Sequence, residues 1–155
     1  MLGNQMESDK MIEISEADFP ELPEIAALER EIFPDAWSLK CLEETWKQKN
    51  AAIFVAKTKE GMAGYLIFYY VLEEGEIARI ATAHSVRRQG AASQMFRKLL
   101  DFCREQKITR IMLEVRENNE AARQFYGKCG FTKDGIRRNY YESPKENAVL
   151  MSVNL

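Results

Sequence analysis

A strand, a short turn and an amphipathic helix follow one another between residues 77 and 103, and this succession constrains the fold more than any other part of the chain. Residues 77–82 have the composition of a buried strand. Apolar residues then recur at the spacing of one helix face: Ala92, Met95, Phe96, Leu99, Leu100 and Cys103. A helix that follows a strand in this way crosses over a sheet and leads into a parallel strand. We therefore expect helices packed against a sheet.

The turn before this helix has the composition of a phosphate-binding site. Its residues are Arg87, Arg88, Gln89, Gly90, Ala91 and Ala92. The first turn of a helix has unpaired N–H groups and a partial positive charge, to which two arginines add two full charges. An ordinary turn with solvated arginines is the alternative. A P-loop and a G-x-G-x-x-G dinucleotide fold are both excluded by the spacing.

Size and charge indicate one soluble domain. The chain has 155 residues, of which 46% are apolar and 30% charged, enough for one full core. A net charge of −2 gives no basic field for nucleic acid, so we expect no direct nucleic-acid partner. We expect residues 1–10 to form a flexible tail and 11–155 the domain, with no signal peptide or membrane span and a cytoplasmic location.

Cysteine and histidine usage restricts the chemistry further. The chain has three widely spaced cysteines, Cys41, Cys103 and Cys129, which we expect to be free thiols because their number is odd. His84 is the one histidine, which argues against histidine-based metal or triad chemistry. We therefore expect no metal site.

Periodicity along the chain gives the element order β-α-α-β-β-β-α-β-α-β-β. The later strands are expected at about 52–58, 62–72, 76–83, 110–115, 131–142 and 147–154. Successive strands favour antiparallel hairpins, and the crossover helix at 89–107 requires one parallel pair. We predict an α/β (α+β) domain with a mixed, mostly antiparallel, twisted sheet of about seven strands, flanked by four helices.

Glu114 is an anomalous charge in an apolar strand. The neighbouring apolar residues, Ile111 to Leu113 and Val115, have the composition of a central strand covered on both faces. A carboxylate there would be partly desolvated, as suits a general base. Alternatively, Glu114 lies at the strand end and pairs with Arg110 or Arg116.

Two residues of the next helix are further candidates. Tyr126 lies on an apolar stripe with Ala122, Phe125 and Cys129, where a tyrosine is either a core residue or a proton donor. Asn119 is suited to cap this helix, and a second role for its side chain is to face a ligand at the phosphate loop.

The order of these motifs resembles that of the GNAT N-acetyltransferases. The matching features are Arg-x-x-Gly-x-Ala at 87–92, Leu-Glu-Val-Arg at 113–116, and Phe-Tyr-x-x-x-Gly-Phe at 125–131. Phe33-Pro34, Trp37-Ser38 and the segment 136–141 narrow the resemblance to the ribosomal-protein-alanine N-acetyltransferase branch, over residues 11 to 154.

The resemblance implies a reaction and a role for each motif. Glu114 would be the general base and Tyr126 the general acid of acetyl transfer from acetyl-CoA to a protein N-terminus. Coenzyme A would be held by the pyrophosphate loop 87–92, by Asn119 and by the backbone of Ile80, Ala81 and Thr82. Side chains expected along a peptide groove are Phe33, Trp37, Arg138, Tyr140 and Tyr141.

Some features depart from the branch, and several functions stay open. Arg79 stands where asparagine is frequent, residues 82–85 differ from the usual sequence, and Ala92 replaces a glycine. The acceptor is expected to be the N-terminal alanine of a ribosomal protein. A small amine such as a polyamine or drug, or a lysine, is the alternative, and an acyl-CoA-binding sensor is the non-enzymatic one. A monomer or a weak dimer is expected.

Overall fold

The computed structural model describes residues 11–84 and 90–155. Residues 1–10, expected to be a tail, and residues 85–89 lie outside this range. The described chain contains a 3-10 turn, Phe19–Glu21, and four α-helices: α1 Leu22–Ile32, α2 Leu39–Lys47, α3 Ala91–Gln106 and α4 Glu120–Lys128. Its seven strands are β1 Glu13–Glu16, β2 Ala51–Thr58, β3 Gly61–Val71, β4 Glu74–Thr82, β5 Arg110–Arg116, β6 Thr132–Tyr141 and β7 Glu146–Asn154.

All seven strands join in one sheet, in the order β1-β2-β3-β4-β5-β7-β6. The pair β4–β5 is parallel, and every other pair is antiparallel. Helix α3 makes the crossover between the parallel strands, as the spacing of its apolar residues predicted. The predicted fold class and element order are confirmed.

Helices cover the two faces of the sheet unequally. One core joins α3 and α4 to β2–β5 and β7, with Met95, Leu99 and Tyr126 among its buried residues. The second core joins α1 and α2 to β2, β3 and the end of β4, and includes Ile25 and Leu42. It contains no described residue of β5, β6 or β7. The second core of α1 and α2 therefore does not extend over these three strands.

The first helix begins later than the sequence predicted. Asp18 and Pro20 have the sequence pattern of an N-cap followed by a first helical turn, but residues 19–21 form a separate 3-10 turn. The backbone N–H of Asp18 donates to the Glu21 carboxylate (2.8 Å), which stabilises this turn. Helix α1 then begins at Leu22 with Pro23 in its first turn, where the missing N–H of proline costs no hydrogen bond.

Candidate active site

Strands β4 and β5 separate halfway along their length. Their parallel pairing runs from Glu74 with Arg110 to Ile77 with Leu113 and then stops. A bulge in the β3–β4 pairing at this level accompanies the separation. Beyond Ile77, the backbone N–H and C=O groups of β4 that face β5 have no hydrogen-bonding partner in the described part of β5. These groups belong to the segment that contains Ile80, Ala81 and Thr82.

Glu114 lies on the open face of β5, beside this gap. Burial alternates along β5, with Ile111, Leu113 and Val115 in the core and Glu114 half-buried, its side chain 22% exposed. The expectation that helices cover both faces here was wrong, because α1 and α2 pack only on β2, β3 and β4. A carboxylate at this position is partly desolvated but still accessible to an acceptor.

Charged and aromatic residues of β6 surround the Glu114 carboxylate. The Nη1 atom of Arg137 lies 3.5 Å from its Oε1 atom. The interaction with Glu114, followed by burial, raises the pKa of Tyr140. The alternative pairings with Arg110 or Arg116 were wrong: the guanidinium of Arg110 lies near Glu74 and Asp134, and that of Arg116 near Glu146.

Glu76 is a second carboxylate at this site, and sequence reasoning missed it. It is in register with Met112, two residues before Glu114 on the same face of β5. Burial, and then the charge of Glu114, raise the pKa of Glu76, while Arg137 opposes the rise. Burial alternates along β4, and this alternation predicts that the Glu76 side chain points away from the core. Only the β4–β5 register shows that Glu114 lies near it.

Tyr126 lies in the core on the α3–α4 side of the sheet. Its side chain is 6% exposed and packs between the rings of Phe125 and Phe131, with centroids 5.5 and 5.6 Å away. Burial, followed by the neighbouring Cys129 and Tyr141, raises the pKa of Tyr126. Its phenol therefore stays protonated at neutral and moderately alkaline pH.

Tyr141 lies within electrostatic range of both candidate catalytic groups. Burial raises its pKa to about 12, with the charge of Glu114 as the next cause. Tyr141 in turn contributes to the raised pKa of Tyr126. The guanidinium of Arg116 stacks on its ring at 4.4 Å. Tyr141 thus interacts electrostatically with both Glu114 and Tyr126, although these two residues belong to opposite faces of the sheet.

The start of α3 is suited to a bulky anion. Gly90 is the N-cap in the left-handed conformation (φ +86°), and no acidic residue occurs in the first turn, which begins with Ala91 and Ala92. A β-carbon on Gly90 would meet only the Gln94 side chain, at 3.8 Å. The left-handed conformation, more than a lack of space, therefore favours glycine at this position. Arg87, Arg88 and Gln89 lie outside the described residues.

Asn119 caps α4, as its position predicted. Its Oδ1 atom accepts a hydrogen bond from the backbone N–H of Ala122 at 3.2 Å. This leaves the side-chain NH₂ group as the donor for any ligand contact.

The residues predicted along an acceptor groove come from two sides of the open face. Phe33 and Trp37 lie in the loop between α1 and α2, where both rings contact the Arg79 guanidinium. On β6, Arg138 is exposed, and the rings of Tyr140 and Tyr141 meet edge to face with centroids 5.0 Å apart.

A separate shallow groove of about 540 Å³ lies at the other end of β5. Arg110, Asp134 and Ser152 are among its lining residues, and none of the candidate catalytic residues is. We place the candidate site at Glu114 because proton-transferring groups and an unpaired strand edge meet there. The residues that the structure describes contain no group of three metal-ligating side chains and no helix long and apolar enough to cross a membrane.

Comparison with known proteins identifies the family. The model of the acetyltransferase (GNAT) family matches residues 22–131. The chain belongs to this family. It is an acetyl-CoA-dependent N-acetyltransferase with the GNAT fold, as the motif order indicated.

Similar N-acetyltransferases share most of their length with this chain. A [ribosomal protein bS18]-alanine N-acetyltransferase from Haemophilus influenzae is 31% identical over 146 residues, which is 92% of this chain and 97% of that protein. A putative enzyme of the same name from Bacillus subtilis is 29% identical over 136 residues, 87% of this chain and 90% of its own length. The crystal structure of the ribosomal-protein-S18-alanine N-acetyltransferase from Escherichia coli superimposes with a TM-score of 0.86 at 29% identity, covering 93% of this chain and 94% of that one.

Proposed function

We propose that this N-acetyltransferase acetylates the α-amine of a protein N-terminus, with the N-terminal alanine of a ribosomal protein as its substrate. The observation that carries the proposal is the position of Glu114 on the uncovered face of β5. The acceptor would lie beside Glu114 between the α1–α2 loop and β6, and an open path there would suit an extended peptide better than a closed pocket. The relatives named for alanine N-acetylation support the same acceptor.

The described residues fit acetyl-CoA. Unpaired backbone groups at Ile80 to Thr82 would hydrogen-bond its amide-containing arm as a neighbouring strand would. The open N-terminus of α3 at Gly90 would hold the pyrophosphate, with Arg87 and Arg88 as further proposed contacts. When bound, the cofactor supplies an acetyl group activated as a thioester.

Glu114 and Tyr126 would carry the two proton movements. The Glu114 carboxylate would accept a proton from the acceptor amine, directly or through a water molecule. The Tyr126 hydroxyl would hold the proton that the departing thiolate needs. Its raised pKa keeps this proton in place over the working pH range. No covalent intermediate with the enzyme is required, so the free cysteines need no part in the reaction.

The acidity of the acceptor favours an α-amine over a lysine. A protein α-amine has a pKa near 8, whereas that of lysine is about 10.4, so at neutral pH the free base is roughly two orders of magnitude more abundant for the α-amine. One half-buried carboxylate is therefore a sufficient base for an N-terminus.

A small cationic amine is the second candidate acceptor, and Glu76 is the observation that favours it. Glu76 and Glu114 together place two carboxylates at the groove, which would attract a polyamine. Arg137, which lies beside both, offsets part of this charge.

Mass spectrometry on matched acceptors distinguishes these functions. The set contains a peptide that begins with alanine, the same peptide blocked at its N-terminus but with an internal lysine, and spermidine. The proposal predicts one added acetyl group on the first residue of the free peptide and none on the blocked one. Modification of lysine alone, or of spermidine but no peptide, would overturn it. Tight acetyl-CoA binding without acetylation of any acceptor would instead indicate a sensor.

A further inference from the structure

A buried ion pair connects β4 to α1 beneath the proposed acceptor groove. The Glu29 side chain is fully buried, and its Oε1 and Oε2 atoms accept from Nε (2.9 Å) and Nη2 (3.2 Å) of Arg79. The Tyr65 hydroxyl also donates to Oε1, at 2.5 Å. Burial, followed by this contact, raises the pKa of Tyr65, which therefore stays a donor. A two-point contact of this kind fixes the orientation of the guanidinium.

The same ion pair holds the loop between α1 and α2. The backbone N–H of Trp37 donates to Glu29 Oε2 at 2.8 Å, and Arg79 Nη2 donates to the carbonyl oxygen of Asp35 at 3.1 Å. The Arg79 guanidinium lies over the Phe33 ring at 3.9 Å and near the Trp37 ring at 5.7 Å. The Arg79 side chain of β4 thus interacts with both the backbone and the aromatic rings of residues 33–37.

Arg79 also faces the reacting groups. It projects from β4 just beyond the point where β4 and β5 separate, and its side chain is 14% exposed. Its charge is one of the smaller influences that lower the pKa of Tyr141, against the larger effect of burial, so its electrostatic field extends to the side of β6. In the proposed acceptor site, the loop that Arg79 holds would form one wall, and β6 with Tyr141 would form the opposite wall.

We propose that Arg79 is a positioning residue that sets the acceptor subsite by clamping the 33–37 loop against β4. This inference rests on the proposed peptide acetylation. Arg79 takes no proton and contacts no reacting atom; it acts through the loop, whose rings would pack against the first side chain of the acceptor. Because the Phe33 ring stacks on the guanidinium and the Trp37 ring lies near it, the positions of both rings depend on Arg79. Arginine is required here, since a lysine ammonium has neither the planar fork for Glu29 nor the flat surface for Phe33.

The test uses Arg79→Lys, which keeps the charge opposite Glu29 but loses the fork and the stacking. Complete removal would leave Glu29 as an unpaired buried charge and destabilise the whole fold. Arg110→Lys is the matched control, because Arg110 pairs with Glu74 and Asp134 and donates to Ser152 at the other end of β5, away from the loop. We expect Arg79→Lys to raise the KM for an alanine-starting peptide about tenfold or more, with kcat and acetyl-CoA affinity within about twofold of wild type. Arg110→Lys should match wild type throughout.

The quenching of tryptophan fluorescence reports on the position of the loop independently of enzyme activity. The chain has two tryptophans, Trp37 and Trp46, so a Trp46→Phe background leaves Trp37 as the sole emitter. Arg79→Lys in this background should increase acrylamide quenching of Trp37, while Arg110→Lys should not. Unchanged quenching with an unchanged peptide KM would overturn the inference, even with peptide acetylation intact. Absence of peptide acetylation by the wild-type enzyme would instead contradict the proposed function, and quenching would still report on the clamp.

Discussion

Replacing Gly64 by alanine should weaken acetyl-CoA binding from a position that the cofactor does not contact. Gly64 lies in β3, in register with Thr82 of β4. A β-carbon there would lie 2.6 Å from the carbonyl oxygen of Ala81, 3.2 Å from the Met95 side chain and 3.3 Å from Cα of Thr82. Two of these neighbours are backbone atoms, so side-chain rotation cannot relieve the clash.

The displacement can be estimated from the contact distances. A carbon and an oxygen approach to about 3.3 Å without strain, so the end of β4 must move by roughly 0.7 Å. The proposed cofactor hydrogen bonds arise from this same segment, and loss of one such bond costs about 0.5–1.5 kcal/mol. We therefore expect the Kd for acetyl-CoA to rise about two- to twelvefold. Overpacking should also reduce stability by about 1–3 kcal/mol.

Calorimetric titration with acetyl-CoA and thermal unfolding measure the two effects. Gly135→Ala in β6 is the matched strand control, because a β-carbon there would meet only the Leu150 side chain, at 4.0 Å. It should leave the Kd unchanged. Wild-type affinity in Gly64→Ala, together with the expected loss of stability, would refute the assignment of the cofactor to the end of β4.

Three further substitutions test the reacting groups. Glu114→Gln should lower kcat by about 10²-fold or more, with a deficit that shrinks as rising pH deprotonates the acceptor; a pH profile parallel to wild type would make Glu114 structural. Tyr126→Phe should lower kcat with little change in acetyl-CoA affinity. Because burial raises the pKa of Tyr126, deprotonation of this tyrosine should not lower the wild-type kcat at any pH below the ordinary tyrosine pKa of about 10. Glu76→Gln should raise the KM of a cationic acceptor by up to about fivefold, an effect that added salt should reduce, whereas a salt-independent change would argue against charge attraction.

The sequence predicted local features well, because each depends on residues close together in the chain. The apolar spacing of Met95, Phe96 and Leu99 defines α3, and a glycine at position 90 suits its left-handed start. Asn119 caps α4 through a contact three residues away. The succession of elements along the chain followed from the turns between them, and the parallel pair followed from the crossover helix.

Features that depend on strand register or on distant packing were not predictable from the sequence. Glu76 approaches Glu114 only through the β4–β5 pairing, which joins residues 36 positions apart. The composition of β5 suggested cover on both faces, but α1 and α2 end over β4. Arg79 was noticed as a departure from the related branch, yet nothing local indicated that its partner is Glu29, in a helix 50 residues earlier.

The separation of β4 from β5 means that the described residues leave one position in the sheet unfilled. A ligand that pairs with this edge completes the sheet, and its binding energy then adds to the free energy of unfolding, by about 2.7 kcal/mol at a ligand concentration of one hundred times Kd. The amides of Ile80 and Thr82 would then exchange their hydrogens more slowly. The lifetime of the enzyme in the cell would accordingly follow the supply of acetyl-CoA, which links the amount of catalyst to the abundance of its own acetyl donor.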